Sequence, residues 1–237
     1  MEKSLPRSPR QRGGDDRTAE NDRIHEVKDI NNATTEQTTI YLVRHGETDW
    51  NRTGKYQGSS DIPLNALGEQ QAAQLGDYLR GNDLAPRGDA IVSSPLSRAF
   101  ATARAIGDAL GIDEITTDAD LQERSYGVAE GLTLAEREAR WPEGNWDGLE
   151  EWDNVATRAM RALDKVVAEH AGEHVFVVCH GGLINAILAV LSHDEIGTGK
   201  TTIVNTSITT LLHTDEGWRI VAYNETPHLD LDPVPAD

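Results

Sequence analysis

Apolar residues fall in short bursts along this chain, separated by stretches where they recur at helical spacing. Thr39-Ile40-Tyr41-Leu42-Val43 is β-branched and aromatic and stops abruptly at Arg44-His45-Gly46, the pattern of a buried strand feeding a loop. Asn65 is placed to cap a helix in which Leu67, Ala72, Leu75, Tyr78 and Leu79 recur until Gly81. Ala90-Ile91-Val92 reads as a second strand running into Ser93-Ser94-Pro95. Pro95 suits the first turn of a helix that reaches about Leu110, and Gly111 suits its stop. Val175-Phe176-Val177-Val178-Cys179 is the clearest buried strand, with an apolar helix, Gly181–Leu191, behind it.

Strands alternating with helices predict an α/β fold: a three-layer sandwich whose mostly parallel sheet carries helices on both faces. After Ser192 the pattern changes, and residues 202–212 and 218–223 read as two strands of a hairpin turning at Asp215-Glu216-Gly217. From Pro227 onward the end reads as frayed. Between Glu123 and Val175 the chain is helix-rich and acidic, broken at Trp141-Pro142 and Gly144, which predicts a helical cap over roughly residues 125–172. No internal repeat is visible.

Residues 1–38 hold seven Lys/Arg, eight Asp/Glu and only scattered apolar side chains, so they are expected to form a solvated, disordered extension ahead of a domain at 39–237. The 237 residues carry 22 Lys+Arg against 40 Asp+Glu, a formal charge of −18, which opposes sequence-independent binding to nucleic acid or to an anionic lipid surface. No apolar run approaches the ~18 residues that span a bilayer. The single Cys179 excludes an internal disulfide and a cysteine metal cluster, and a cytoplasmic, reducing location is expected.

Ligands of parallel sheets bind beyond the carboxyl ends of the strands. Three predicted strands deliver polar groups there: Arg44-His45-Gly46, Ser93-Ser94-Pro95-Leu96-Ser97-Arg98, and His180-Gly181-Gly182. Arginine forks engage two phosphate oxygens at once, glycines let backbone N–H groups approach, and helix N-termini add donors. The pattern describes an oxyanion pocket, best suited to a phosphoryl group. Gly197-Thr198-Gly199-Lys200-Thr201 is read as a plain loop, because a nucleotide loop needs a glycine where Asp194 stands and a strand where an apolar helix precedes it.

These motifs resemble the histidine phosphatase superfamily, the phosphoglycerate mutase-like proteins, from about Thr39 to Leu229. Leu42-Val43-Arg44-His45-Gly46-Glu47-Thr48-Asp49-Trp50-Asn51 is similar to its signature loop, followed in order by Gln57-Gly58, Asp61-Ile62-Pro63-Leu64, Gly68 and Gln71-Ala72. Ser93 to Ala99 with Thr102-Ala103, Leu121-Gln122-Glu123 with Gly127 and Glu130-Gly131, and Val178-Cys179-His180-Gly181-Gly182 match the later blocks. The resemblance implies a phosphoglycerate mutase-like fold and assigns His45 as a nucleophile forming a phosphohistidine. Arg44, Arg98 and His180 would hold the equatorial oxygens, with Asn51, Gly58 and Gly181 as further substrate contacts. Glu123 would act as acid and then base, with Glu130 as its rival for that role. The scheme needs no metal and no other cofactor, and its partner is a small phosphate ester.

The resemblance leaves the reaction open between a metal-independent phosphomonoesterase and a 2,3-bisphosphoglycerate-dependent phosphoglycerate mutase. A mutase needs extra cations for a carboxylate and a second phosphate, whereas residues 125–160 hold three basic side chains against eight acids. Asn205 to Thr209, Trp218 and Asn224 look like the phosphatase branch; Arg124, in Glu-Arg-x-Tyr-Gly, looks mutase-like. A non-catalytic phosphate-binding protein would be marked by loss of His45, Glu123 or His180, and all three are present.

Overall fold

In the computed structural model, which describes residues 37–81 and 85–229, the apolar bursts are strands of one sheet. In chain order the elements are β1 (Thr38–Arg44), α1 (Asp49–Arg52), α2 (Ala66–Gly81), β2 (Ala90–Ser93), α3 (Ser97–Leu110), β3 (Thr116–Thr117), α4 (Leu134–Arg140), α5 (Trp152–Glu169), β4 (His174–Cys179), α6 (Gly181–Leu191), β5 (Ile208–Thr214) and β6 (Gly217–Glu225). Short 3-10 turns occupy Ala119–Leu121 and Gly127–Ala129. The sheet order is β3-β2-β4-β1-β5-β6; the first four strands run parallel, and β5 and β6 form the antiparallel edge. A mostly parallel sheet is therefore what the alternation of elements produces.

Side chains alternate across a strand, and the two faces divide the core accordingly. Ile40 and Leu42 of β1, with Val175, Val177 and Cys179 of β4, pack against α5 and α6 through Val155, Ala159, Leu163, Ile184 and Ile187. Tyr41 and Val43, with Phe176 and Val178, pack on the other face against Leu75 and Leu79 of α2 and Ala103 and Ile106 of α3. Each such fully buried aliphatic or aromatic side chain contributes about 1.5–3 kcal/mol. Helices α2 and α3 meet closely because Gly76 has no side chain: a Cβ there would stand 3.0 Å from the Ala105 carbonyl oxygen.

Three expectations shift. Thr38 is 1% exposed and already in β1, so the predicted boundary at residue 38 moves forward, while the rest of the expected disordered extension, residues 1–36, lies outside the described residues. Of the end expected to be frayed from Pro227, residues 227–229 are held in place, His228 lying 3.0 Å from the Thr206 hydroxyl, and the remainder from residue 230 lies outside the described residues. The stretch expected to form a cap over 125–172 includes α5, which instead packs on the sheet. Trp152–Glu169 is a sheet-covering layer, because Val155, Ala159, Ala162, Leu163 and Val166 form one buried stripe. The strand predicted from 202 begins at Ile208 instead. Among the described residues no helix is long and apolar enough to cross a membrane.

The register aligns the strand ends. Arg44 pairs with Cys179 and Ser93 with Val178, so His45, Ser94 and His180 emerge together at the carboxyl edge of β1, β2 and β4.

Candidate active site

His45 follows the last residue of β1, and its amide still bonds the Cys179 carbonyl at 3.0 Å. The residue is 2% exposed, and Nδ1 of its ring lies 2.7 Å from the carbonyl oxygen of Gly46. A carbonyl only accepts, so Nδ1 carries the hydrogen and Nε2 keeps the lone pair. Burial, reinforced by the Arg44 and Arg98 charges, holds the imidazole well below its ordinary pKa, partly offset by the Gly46 bond. The result is a neutral ring with one bare nitrogen. Glycine is required at 46, since a Cβ would stand 2.5 Å from the Gly68 carbonyl oxygen.

The two predicted arginines flank this ring. Arg98, in the first turn of α3, is fully buried and donates from Nη1 to the Ser60 carbonyl (2.8 Å) and from Nη2 to the Gly58 carbonyl (2.9 Å). Arg44 donates from Nη1 to the Ile203 carbonyl. Both guanidiniums are pulled below their ordinary pKa by burial, and the Glu123 carboxylate opposes that pull in each. His180 precedes α6 and is fully buried, with Nε2 2.8 Å from the Ser94 hydroxyl and its ring centroid 5.1 Å from that of His45. Burial, then the neighbouring charge of Arg98, keeps it neutral as well.

Three nitrogens in this cluster are buried without a partner among the described residues: Nε of Arg44, Nε of Arg98 and Nδ1 of His180. An unsatisfied buried polar group costs about 1–3 kcal/mol, so three such nitrogens on the residues that neighbour His45 are an expensive arrangement.

Arg44, His45, Asn51, Gly58, Arg98 and Glu123 line one cavity of about 140 Å³, together with Lys55, Tyr56, Gln57 and Tyr126. His180 and Gly181 stand behind its wall, Gly181 so close to Arg44 that a Cβ would lie 3.3 Å from Nε. A roomier cleft of about 430 Å³, between Tyr41, Tyr78 and His174, touches none of these predicted site residues. Arg44, Lys55 and Arg98 set three cations against the single Glu123 carboxylate, a local inversion of a strongly acidic chain.

Among the described residues, Glu123 is held by backbone alone. Its carboxylate accepts from the amides of Arg124 (2.9 Å), Gly182 (3.0 Å) and Leu183 (3.1 Å), the last two being free N–H groups in the first turn of α6. Its rival Glu130 is committed elsewhere. It accepts from the amides of Ser59 (2.9 Å), Ser60 (2.9 Å) and Tyr126 (3.2 Å) and from both serine hydroxyls, and it is absent from the cavity wall. Glu130 therefore shapes the loop whose carbonyls hold Arg98. Gly58 sits in that loop at φ +53, where a Cβ would collide with Glu130 Oε1 at 2.1 Å.

Asn51 closes a capping box with Thr48, its Oδ1 accepting from the Thr48 amide at 3.2 Å. Its Nδ2 has no protein acceptor among the described residues. Lys55, Tyr56 and Tyr126 escaped the sequence reading, although Tyr126 lies inside the Glu-Arg-x-Tyr-Gly motif. The Tyr56 and Tyr126 rings meet at 4.5 Å, and burial first, then Glu123, pushes the Tyr126 hydroxyl above its ordinary pKa. Arg124 does not reach the cavity wall: it donates to the Glu150 carbonyl at 2.7 Å and stacks on Trp152 at 4.2 Å. Among the described residues no cluster of three or more His, Cys, Asp or Glu side chains is arranged to hold a metal ion.

The chain is similar to proteins named as phosphatases and as phosphoglycerate mutases. A Bacillus subtilis relative named as the uncharacterized phosphatase PhoE is 40% identical over 192 residues, 81% of this chain and 97% of that protein. A metal-independent phosphoserine phosphatase of Arabidopsis thaliana is 34% identical over 82% of this chain and 84% of its own length. Proteins named as phosphoglycerate mutase-like or as probable phosphoglycerate mutases match at similar identity. Among solved structures, a mycobacterial glucosyl-3-phosphoglycerate phosphatase superposes with a TM-score of 0.70 at 29% identity, covering 80% of this chain and 100% of that one. The family model for the histidine phosphatase superfamily, branch 1, matches residues 40–226, and the chain belongs to that family.

Proposed function

We propose that the protein is a metal-independent phosphomonoesterase that hydrolyses a small soluble phosphate ester through a phosphohistidine at His45. The observation that carries this reading is the set of three partnerless buried nitrogens beside a neutral imidazole whose Nε2 is bare. A phosphoryl group offers acceptor oxygens to each of those donors and an electrophilic phosphorus to the lone pair.

In the first half-reaction Nε2 of His45 bonds to phosphorus as the ester P–O bond breaks, and protonated Glu123 gives its proton to the departing oxygen. Arg44, Arg98, His180 and Asn51 hold the equatorial oxygens throughout. If the Ser94 hydroxyl donates to His180 Nε2, Nδ1 carries the hydrogen that reaches one of them. In the second half-reaction the Glu123 carboxylate, steadied by the three backbone amides, takes a proton from water. The water oxygen attacks phosphorus and Nε2 leaves, which regenerates the starting ring and protonated Glu123. The pocket stays fixed while charge moves, which is how most of the barrier to phosphoryl transfer is lowered.

Hydrolysis is favoured over mutase chemistry because the cavity wall adds only Lys55 to the cations of the phosphate cradle, and Arg124 is engaged by Glu150 and Trp152. The decisive experiment is a panel of phosphoglycerates, sugar phosphates, phosphoserine and nucleotides assayed for phosphate release with and without chelator. Acid-quench trapping of labelled protein accompanies it, beside His45→Ala. Release that survives chelator, with label lost in His45→Ala, supports the proposal. Interconversion of phosphoglycerates in the presence of 2,3-bisphosphoglycerate, faster than hydrolysis of either, refutes it in favour of a mutase.

A further inference from the structure

Among the described residues Glu123 has no side-chain partner of its own, and while Arg161 and Lys165 hold the Asp120 and Asp118 carboxylates, the backbone carbonyls of the segment that carries it are gathered from behind by Arg158. Arg158 of α5 has five N–H donors and all five are engaged. Nε donates to Glu150 Oε1 at 2.8 Å, and Nη2 to Glu150 Oε2 at 3.0 Å. The remaining three go to carbonyl oxygens of one short segment: Asp120 (2.8 Å) and Gln122 (2.5 Å) from Nη1, and Glu123 itself (3.1 Å) from Nη2. Glu150 completes the tie, since its Oε2 accepts from the Ser125 amide at 3.0 Å and its carbonyl from Arg124 Nε at 2.7 Å. The pair is largely buried, with side chains 14% and 19% exposed, and neither lines the cavity.

We propose that Arg158, anchored on Glu150, is a positioning residue: its fork fixes the backbone of residues 120–123 and so sets where the Glu123 carboxylate stands over the reacting oxygen. This inference rests on the phosphatase reading above. A guanidinium suits the task because its planar donors address several carbonyls in fixed directions; a lysine ammonium is a point charge and cannot reproduce the fork. Misplacing a catalytic group by about 1 Å costs on the order of 100-fold in rate.

The test exploits the leaving group. Arg158→Gln, Arg158→Lys and Glu150→Gln are compared with wild type by kcat/KM on an alkyl phosphate, whose departing oxygen needs a proton, and on 2,4-dinitrophenyl phosphate, whose departing oxygen does not. The expected result is a loss of roughly 10- to 100-fold on the alkyl ester and less than about threefold on the dinitrophenyl ester in each folded variant. Glu150→Gln gives the same reading if Arg158→Gln does not fold. Equal losses on both esters, wild-type rates in Arg158→Lys, or unfolding of all three variants overturns the positioning role. A wild type that hydrolyses neither ester instead overturns the phosphatase reading itself.

Discussion

Gly182 offers a sharp separation of stability from activity. It stands in the first turn of α6, outside the left-handed region of backbone space, so alanine is acceptable to the chain. In an isolated helix that change is favourable by about 0.4–1 kcal/mol. Here the added Cβ would stand 2.5 Å from Glu123 Oε1, 3.1 Å from its Cδ and 3.3 Å from Oε2. Ordinary contact begins near 3.4 Å, so the carboxylate must retreat by about 0.9 Å. That displacement strains the bonds from the Gly182 and Leu183 amides, each worth roughly 0.5–1.5 kcal/mol. It also moves the proposed proton donor far enough to cost on the order of 100-fold in kcat/KM. The assay is steady-state hydrolysis of an alkyl phosphate beside thermal melting. Gly182→Ala is expected to keep its Tm within a few degrees while losing most of its activity. Activity within twofold of wild type refutes the claim that Glu123 works from this position.

Ser94→Ala leaves His180 Nε2 without its partner at 2.8 Å in a fully buried site, and is expected to lower kcat/KM about tenfold and to soften the ring's orientation, read by NMR of the imidazole. Glu130→Gln removes the charge that gathers the Ser59 and Ser60 amides and hydroxyls, so stability falls by about 1–3 kcal/mol in urea melts and phosphate affinity weakens with it. Burial, with the neighbouring arginines, holds His45 and His180 well below the ordinary imidazole range, and burial holds His228 at about 4. Below about pH 6.5 the unfolded chain therefore binds protons that the folded chain refuses, and stability falls with falling pH. The slope from these groups approaches roughly 4 kcal/mol per unit once all three titrate in the unfolded state. Urea melts at pH 7.5, 6 and 5 check this, and stability that is flat or rising over that interval contradicts it. For the same reason, the acid limb of kcat/KM should not fall near pH 6.5.

Most of the site could be read in the sequence because its parts sit at strand ends, where periodicity breaks into short polar motifs. Arg44, His45, Arg98 and His180 all follow this rule, and Asn65 caps α2 through its 2.9 Å bond from the Gly68 amide, as its position predicted. The segment before β5 could not be read this way. Thr201, Thr202, Ile203 and Val204 have strand-like side chains, yet tertiary contacts override that preference. Ile203 gives its carbonyl to Arg44, the Asn205 side chain bonds the His45 carbonyl at 2.8 Å, and Thr206 turns through φ +58 to reach the Arg44 carbonyl. Residues 202–207 thus brace the Arg44–His45 loop instead of extending the sheet. Lys55 and Tyr56 reach the cavity from an aperiodic polar loop and left no pattern to detect. Acidity drew α5 into the predicted cap, although its apolar stripe marks it as a layer of the sandwich.

The three partnerless nitrogens around His45 bear on the molecule even when no reaction occurs. An oxyanion that satisfies them would bind the folded chain and not the unfolded one, so the melting temperature is expected to rise with free phosphate concentration. Whatever fills that hollow acts as a folding ligand as well as a reactant.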